Sequence, residues 1–320
     1  MRRLRCVAAI LVLLRAGAAS FGNATCGGSW RPGGGLVLVY VVGAARSLAA
    51  NAPSIEALFC GSRWAGTAAV VPLLHAWEGS ACGGGDAAVP AAFGGGLTNA
   101  TMDDMPGGMR ALVARERVGT DEHRRALAYV AQLFHVYNLN GRALRLLAAA
   151  GLAGLAPADP GRGVVVRWRP DATVRDAPTT RRFLGACLAY VRATPGTVCV
   201  LPTAKSRQLP ARCLGRHRNF HVATCCHPRT SGILSDWVFV AEKRVLDGLD
   251  GRGNASAAAL FAGPARTEHR LCETFIGAGL SLAWPAGVVD GGADQLGLSA
   301  RRCPGNATAT PFHEITRPAR

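Results

Sequence analysis

Residues 120–156 read TDEHRRALAYVAQLFHVYNLNGRALRLLAAAGLAGLA, and how this stretch is divided decides the fold. Thr120 can cap a helix, with Asp121 and Glu122 in the first turn where the helix dipole favours carboxylates. Leu127, Val130, Phe134 and Tyr137 then recur at three- or four-residue spacing and make one apolar face. The run breaks at Asn138-Leu139-Asn140-Gly141, where Asn140 can cap a second helix over 141–156. The segment therefore predicts a helical hairpin.

On the C-terminal side, GVVVRWR (163–169) predicts a strand from its β-branched run. Residues 176–195 predict a third helix, opened by Pro178, closed by Pro195 and apolar along Phe183, Cys187 and Val191. GTVCVLP (196–202) and SDWVFVAEKR (235–244) are further strand candidates, and ARTEHRLCETFIGAG (265–279) is a fourth helix closing at Gly277. On the N-terminal side, GLVLVYVVG (35–43) reads as a buried strand and SIEALFCGSRW (54–64) as a short helix or turn carrying Cys60. Gly83–Gly85 and Gly94–Gly96 read as flexible loop. The expected class is α+β, a helical hairpin and further helices packed on a small mixed sheet and linked by disulfides. The expected organisation is a signal peptide at 1–19, a Gly-rich, Cys-containing region at 20–110 suited to docking on a partner, an α+β core at 111–283, and a loose glycosylated tail at 284–320.

The signal-peptide reading rests on Arg2, Arg3 and Arg5, the apolar run Cys6 to Leu14, and the small residues of AGAAS that follow. No later segment holds the roughly 18 to 20 uninterrupted apolar residues of a membrane-spanning helix: Arg46 cuts one candidate, Pro285 and Asp290 another. Four of the eight asparagines, Asn23, Asn99, Asn254 and Asn306, stand in Asn-Ala-Thr/Ser sequons, which suits a chain that meets the glycosylation machinery. The formal charge is +16, and loss of the four signal-peptide arginines leaves +12. Nearly all of it is arginine, since Lys205 and Lys243 are the only lysines. With the abundant Ala, Gly and Pro, that profile reflects a GC-rich coding genome, and no nucleic-acid partner is expected.

Ten cysteines follow the signal: Cys26, Cys60, Cys82, Cys187, Cys199, Cys213, Cys225, Cys226, Cys272 and Cys303. In an oxidising compartment disulfides are the default for an even number, with connectivity open. In CLGRHRNFHVATCCHP (213–228), Cys213, His217, His221 and Cys225 recur every four residues, as zinc ligands on a helix would. Gly215, Asn219, Val222 and Thr224 dilute helix propensity there, and oxidising conditions favour pairing of the thiols. No metal is expected. Neighbouring Cys225 and Cys226 cannot easily bond each other, so each should reach a different partner, as adjacent cysteines do in CC chemokines. No G-x-S-x-G, H-E-x-x-H, P-loop or dinucleotide fingerprint occurs, and His313-Glu314 in FHEIT lacks a second histidine. Neither catalysis nor a cofactor is expected.

RALAYVAQLFHVYNLNGRALRLLAAAG (125–151) resembles the central stretch of betaherpesvirus glycoprotein L, an apolar helix ending in a Tyr-Asn turn before an Arg-Ala-Leu-x-x-Leu-Leu helix. SDWVFVAEKR stands where that family has a strand, and LFAGPARTEHRLCETF (260–275) is similar to its Leu-Phe-x-Gly helix with a late cysteine, here Cys272. The matching stretches cover about a third of the chain; its greater length and cysteine content depart from the family. The resemblance implies a non-enzymatic viral envelope glycoprotein, an obligate subunit that chaperones membrane-anchored glycoprotein H and supports membrane fusion. It would reach the virion envelope and the host cell surface through that partner, with accessory glycoproteins beside it. The family bonds its partner through N-terminal cysteines, and of Cys26, Cys60 and Cys82 the candidate is Cys60, beside Leu58, Phe59 and Trp64; an internal bridge is the alternative. A different secreted viral glycoprotein, such as an immune decoy, a chemokine-like ligand or a glycoprotein O-like accessory subunit, is the competing expectation.

Overall fold

The computed structural model describes residues 35–60, 64, 67–81, 94–98, 136, 139–148, 163–203, 206, 208–226, 234–250, 267–287, 296 and 298–300. Among them, nine strands form one mixed sheet, with helices on both faces. The strands of the large sheet are β1 (Gly35–Arg46), β2 (Thr67–Ala81), β3 (Gly94–Thr98), β4 (Val164–Trp168), β6 (Thr197–Pro202), β7 (Leu214–His217), β8 (Phe220–Ala223), β9 (Leu234–Glu242) and β10 (Ser281–Pro285), in spatial order β3-β2-β1-β4-β9-β6-β10-β8-β7. β5 (Ala172–Val174) pairs antiparallel with β11 (Leu298–Ala300) in a second, two-stranded sheet. The helices are α1 (Leu48–Cys60), α2 (139–148), α3 (Ala177–Ala193), α4 (Lys243–Asp250) and α5 (Thr267–Gly277).

β1 shows why the sheet is covered twice. Leu36, Leu38, Tyr40 and Val42 point into one core with Leu139, Ala143 and Leu147 of α2, Leu246 of α4 and Phe275 of α5. Val37, Val39 and Val41 point into the other, with Ile55 and Leu58 of α1 and Phe183, Leu184 and Val191 of α3. An unbroken apolar run is what a strand buried on both faces needs. Each fully buried aliphatic side chain contributes about 1.5–3 kcal/mol, so this strand is a main source of cohesion. It pairs in parallel with β2 on one side and β4 on the other, so strands before and after residue 110 share one sheet. β9 runs antiparallel between β4 and β6, β10 is parallel to β6, and the β7–β8 hairpin ends the order.

The α+β character expected from sequence is present, on a sheet larger than the small one anticipated. β2 supplies much of the difference. Its Pro72 lies opposite Val39, one residue before the pairing with β3 begins at Leu73, and proline's missing N–H argues against a strand there; burial of Val70, Val71, Leu73 and Leu74 outweighs that penalty. Gly94–Gly96, expected as loop, begin β3 and pair with Leu73, Leu74 and His75. α1 starts six residues before the expected Ser54 and carries Pro53 inside it, because Leu48 and Ala52 pack on the sheet and the Ser47 carbonyl accepts from the Ala50 and Asn51 amides. α3 matches its expected span; Asp176 caps it by accepting from the Thr179 amide at 3.0 Å. Within the stretch expected as a tail, β10 continues to Pro285 and β11 pairs with β5. Of the first arm of the expected hairpin only Val136 is described, and it is helical and buried. No described helix is long and apolar enough to cross a membrane.

Candidate functional site

The segment with metal-ligand spacing is extended. Leu214–His217 and Phe220–Ala223 pair as a hairpin, so the four-residue interval does not fall on one helix face. Cys213 and Cys225 flank the hairpin and bond each other, and the Thr224 amide donates to the Cys213 carbonyl at 3.0 Å. Cys226 bonds Cys272 on α5, and Cys187 on α3 bonds Cys199 on β6. The neighbouring cysteines thus have separate partners. In the chain-entropy description, closing loops of 12 and 46 residues stabilises by about 3 and about 4 kcal/mol. The two imidazoles are also apart in role: His217 Nδ1 shares a 2.9 Å hydrogen bond with the Tyr190 hydroxyl, whereas His221 lies beside Trp284 at 5.8 Å between ring centroids. Burial lowers the pKa of His221, and Arg216 across the hairpin lowers it further.

Of the other expected site residues, Cys60 ends α1, while Cys26, Cys82, Cys303 and the sequons at Asn23, Asn99, Asn254 and Asn306 lie outside the described residues. So does the His313-Glu314 pair.

Beside the hairpin is an open basin of about 520 Å³, walled by the C-terminal end of α3 and floored by β7, β8 and the starts of β6 and β10. Tyr190 forms part of its wall, stacked on Phe220 with centroids 3.9 Å apart and edge-on to His217. Arg212, Arg216 and His217 also line it, together with Thr194, Thr197, Thr224 and Ser281. Among the described residues, no carboxylate lines it. At the hairpin tip Arg218 has φ 55°, in the left-handed region where an L side chain is disfavoured by roughly 1–2 kcal/mol and glycine is not. Composition alone makes these arginines part of a solvated basic background; their density within 212–218, around the disulfide cysteine Cys213, is the signal in the sequence that marks them out.

Two polar networks inside the fold are bracing rather than reactive. At the end of β4, Arg169 binds Asp171 through Nε and Nη2 at 2.7 and 2.8 Å and Asp236 through Nη1 at 3.0 and 3.1 Å. Burial alone would weaken its charge, but these two carboxylates outweigh it and hold its pKa above the ordinary arginine value. Neighbouring Arg167 is only 2% exposed, and burial lowers its pKa to about 10 although Asp236 opposes the shift. Asn51 joins α1 to this corner, donating to Ser47 Oγ and the Pro170 carbonyl at 3.2 Å and accepting from Thr173 Oγ1 at 2.8 Å. On the other face, the Tyr40 hydroxyl donates to Asn140 Oδ1 at 3.0 Å, and Asn140 Nδ2 donates to Asp247 Oδ1 at 2.6 Å. Lys243 Nζ donates to the same carboxylate oxygen at 2.8 Å. Asn140, expected to cap a helix, therefore lies within α2 and links it to β1 and α4.

No family model matches the chain, and no curated protein matches it. Among solved structures, one described as mannose-1-phosphate geranyltransferase from Thermus thermophilus superposes with a TM-score of 0.32 at 13% identity, over 84% of this chain and 72% of that one. So weak a superposition implies neither a shared fold nor a shared activity.

Proposed function

We propose that this chain is a secreted, non-enzymatic viral envelope glycoprotein resembling glycoprotein L, which binds and chaperones a membrane-anchored glycoprotein H-like subunit and supports membrane fusion during infection. One observation carries the reading beyond the sequence likeness itself. The three stretches that resemble the family are far apart in the chain, yet Leu139, Ala143 and Leu147, then Phe239 and Ala241, then Leu271, Cys272 and Phe275 all belong to one hydrophobic core. Segments that pack together are constrained together, so the stretches that carry the likeness form one packed unit of this chain rather than isolated apolar helices.

In this reading residues 120–156 form the complete helical hairpin, 20–110 contribute docking surface, and Cys60 at the end of α1 is the candidate for a bond to the partner. The chain reaches the virion envelope and the host cell surface as a peripheral subunit, and further accessory glycoproteins can join the pair. Co-expression with the cognate glycoprotein H-like subunit, followed by non-reducing electrophoresis, tests it. A heterodimer is expected, with a covalent band lost in Cys60→Ser. Efficient secretion of the chain alone as a stable monomer contradicts the obligate-subunit reading and favours a decoy or ligand.

A further inference from the structure

We propose that the basin beside the β7–β8 hairpin is a binding site for sulfated polysaccharide, with Arg212, Arg216 and Arg218 as its sulfate contacts. This rests on the preceding reading only in taking the chain to be extracellular, where the abundant polyanions are sulfated sugars rather than nucleic acids.

Arg212, Arg216 and His217 are the basic groups lining the basin, Arg218 at the tip is close enough to act on the Tyr190 hydroxyl, and no described lining residue is acidic. Among the described residues no carboxylate pairs with any of the three arginines, whereas Arg169 and Arg244 are each held by carboxylates. As far as the described residues go, all three guanidiniums are therefore left for the bidentate, charge-assisted bonds that tetrahedral oxyanions accept. The C-terminal end of α3 opposes an anion with about half a negative charge, less than any one of these cations supplies.

Shape and strain agree with charge. An opening of about 520 Å³ is of ligand size, and the accessible Thr224 and Ser281 and the Tyr190–Phe220 stack suit a sugar ring as well as its sulfate. Cys213–Cys225 clamps the base of the hairpin and Cys226–Cys272 anchors it to α5, so the cations are presented on a rigid support. Arg218 then occupies a backbone conformation that glycine would adopt without strain. A side chain kept at such a position points to a use for it.

The test uses the full secreted chain, with its partner subunit if it requires one, and a heparin-derived hexasaccharide as probe. Arg216→Ala and Arg218→Gly are each expected to weaken binding about fivefold at physiological salt. Each should also reduce the slope of log K against log salt by about 0.7–1, the signature of one lost ionic contact. Arg218→Gly should leave thermal stability within about 2 °C, because relief of backbone strain offsets the greater freedom of glycine in the unfolded chain. Arg145→Ala with Arg175→Ala removes two exposed arginines elsewhere and should change affinity less than about twofold. Equal losses in the control pair and the site variants would mean that the net charge alone attracts the probe, and would overturn the site. Tighter binding of anionic phospholipid vesicles or single-stranded RNA than of the hexasaccharide would overturn the ligand class. Partner association is read separately: heterodimer without hexasaccharide binding removes this site alone, and hexasaccharide binding by a chain that ignores the partner removes the subunit reading alone.

Discussion

His75 has the clearest consequence at the scale of one residue. It lies on β2, 3% exposed, and burial lowers its pKa to about 4, with Arg142 adding to the effect. The unfolded chain protonates this imidazole near pH 6.5, the folded chain only near 4. Protons therefore bind the unfolded state preferentially between those values, and stability falls as pH drops through that window, by about 3 kcal/mol in full. His75→Leu should flatten the pH dependence of urea midpoints between pH 6.5 and 4; an unchanged slope would locate the acid sensitivity elsewhere. Asn140→Ala should cost about 1–3 kcal/mol, since it strands the buried Tyr40 hydroxyl. Chemical denaturation measures that loss directly. Residue roles are legible in the sequence where chemistry is local: Cys225 and Cys226 have to take separate partners, and they do. Asn140 is legible only as a turn former, because its real partners stand 100 and 107 residues away.

At the scale of elements, Pro53 and the hairpin disulfides separate local propensity from tertiary packing. Pro53 leaves one α1 carbonyl without its helical donor, and its side chain is exposed. Pro53→Ala should therefore raise stability, by about 1–3 kcal/mol, visible as a higher Tm. A fall would mean that proline's fixed φ is needed to seat Leu48 and Ile55 on the sheet. Replacing Cys226 and Cys272 together by serine should cost about 2–4 kcal/mol and loosen α5 from the hairpin, which amide exchange in 267–277 would register. The same contrast explains which elements can be read in advance. β1, β4, β6, β9, α3 and α5 carry apolar runs or faces with proper ends and are expected from them. β2 contains Pro72, β3 begins with three glycines, and β7 is Leu-Gly-Arg-His; each is a strand because of its neighbours rather than its own composition. β10 follows Gly279, whose φ of 77° turns the chain out of α5, in a stretch whose glycines suggest only its end.

At the scale of the whole molecule, the N-terminal strands have no core of their own to keep. β1 lies between β2 and β4 and shares both cores with segments that follow residue 110. No local pattern announces that sharing, since an apolar run is equally suited to a separate unit or to a common sheet. The proposed dependence on a partner is a property of this scale too, and its physical form is that association stabilises the folded chain by mass action. The most direct measurement is secretion of the chain, expressed with and without its glycoprotein H-like subunit, followed by size-exclusion chromatography and non-reducing electrophoresis of the medium. Retention of the chain alone and release as a one-to-one heterodimer on co-expression are expected. Abundant release of a monodisperse monomer, unchanged by the partner, would contradict the proposed dependence.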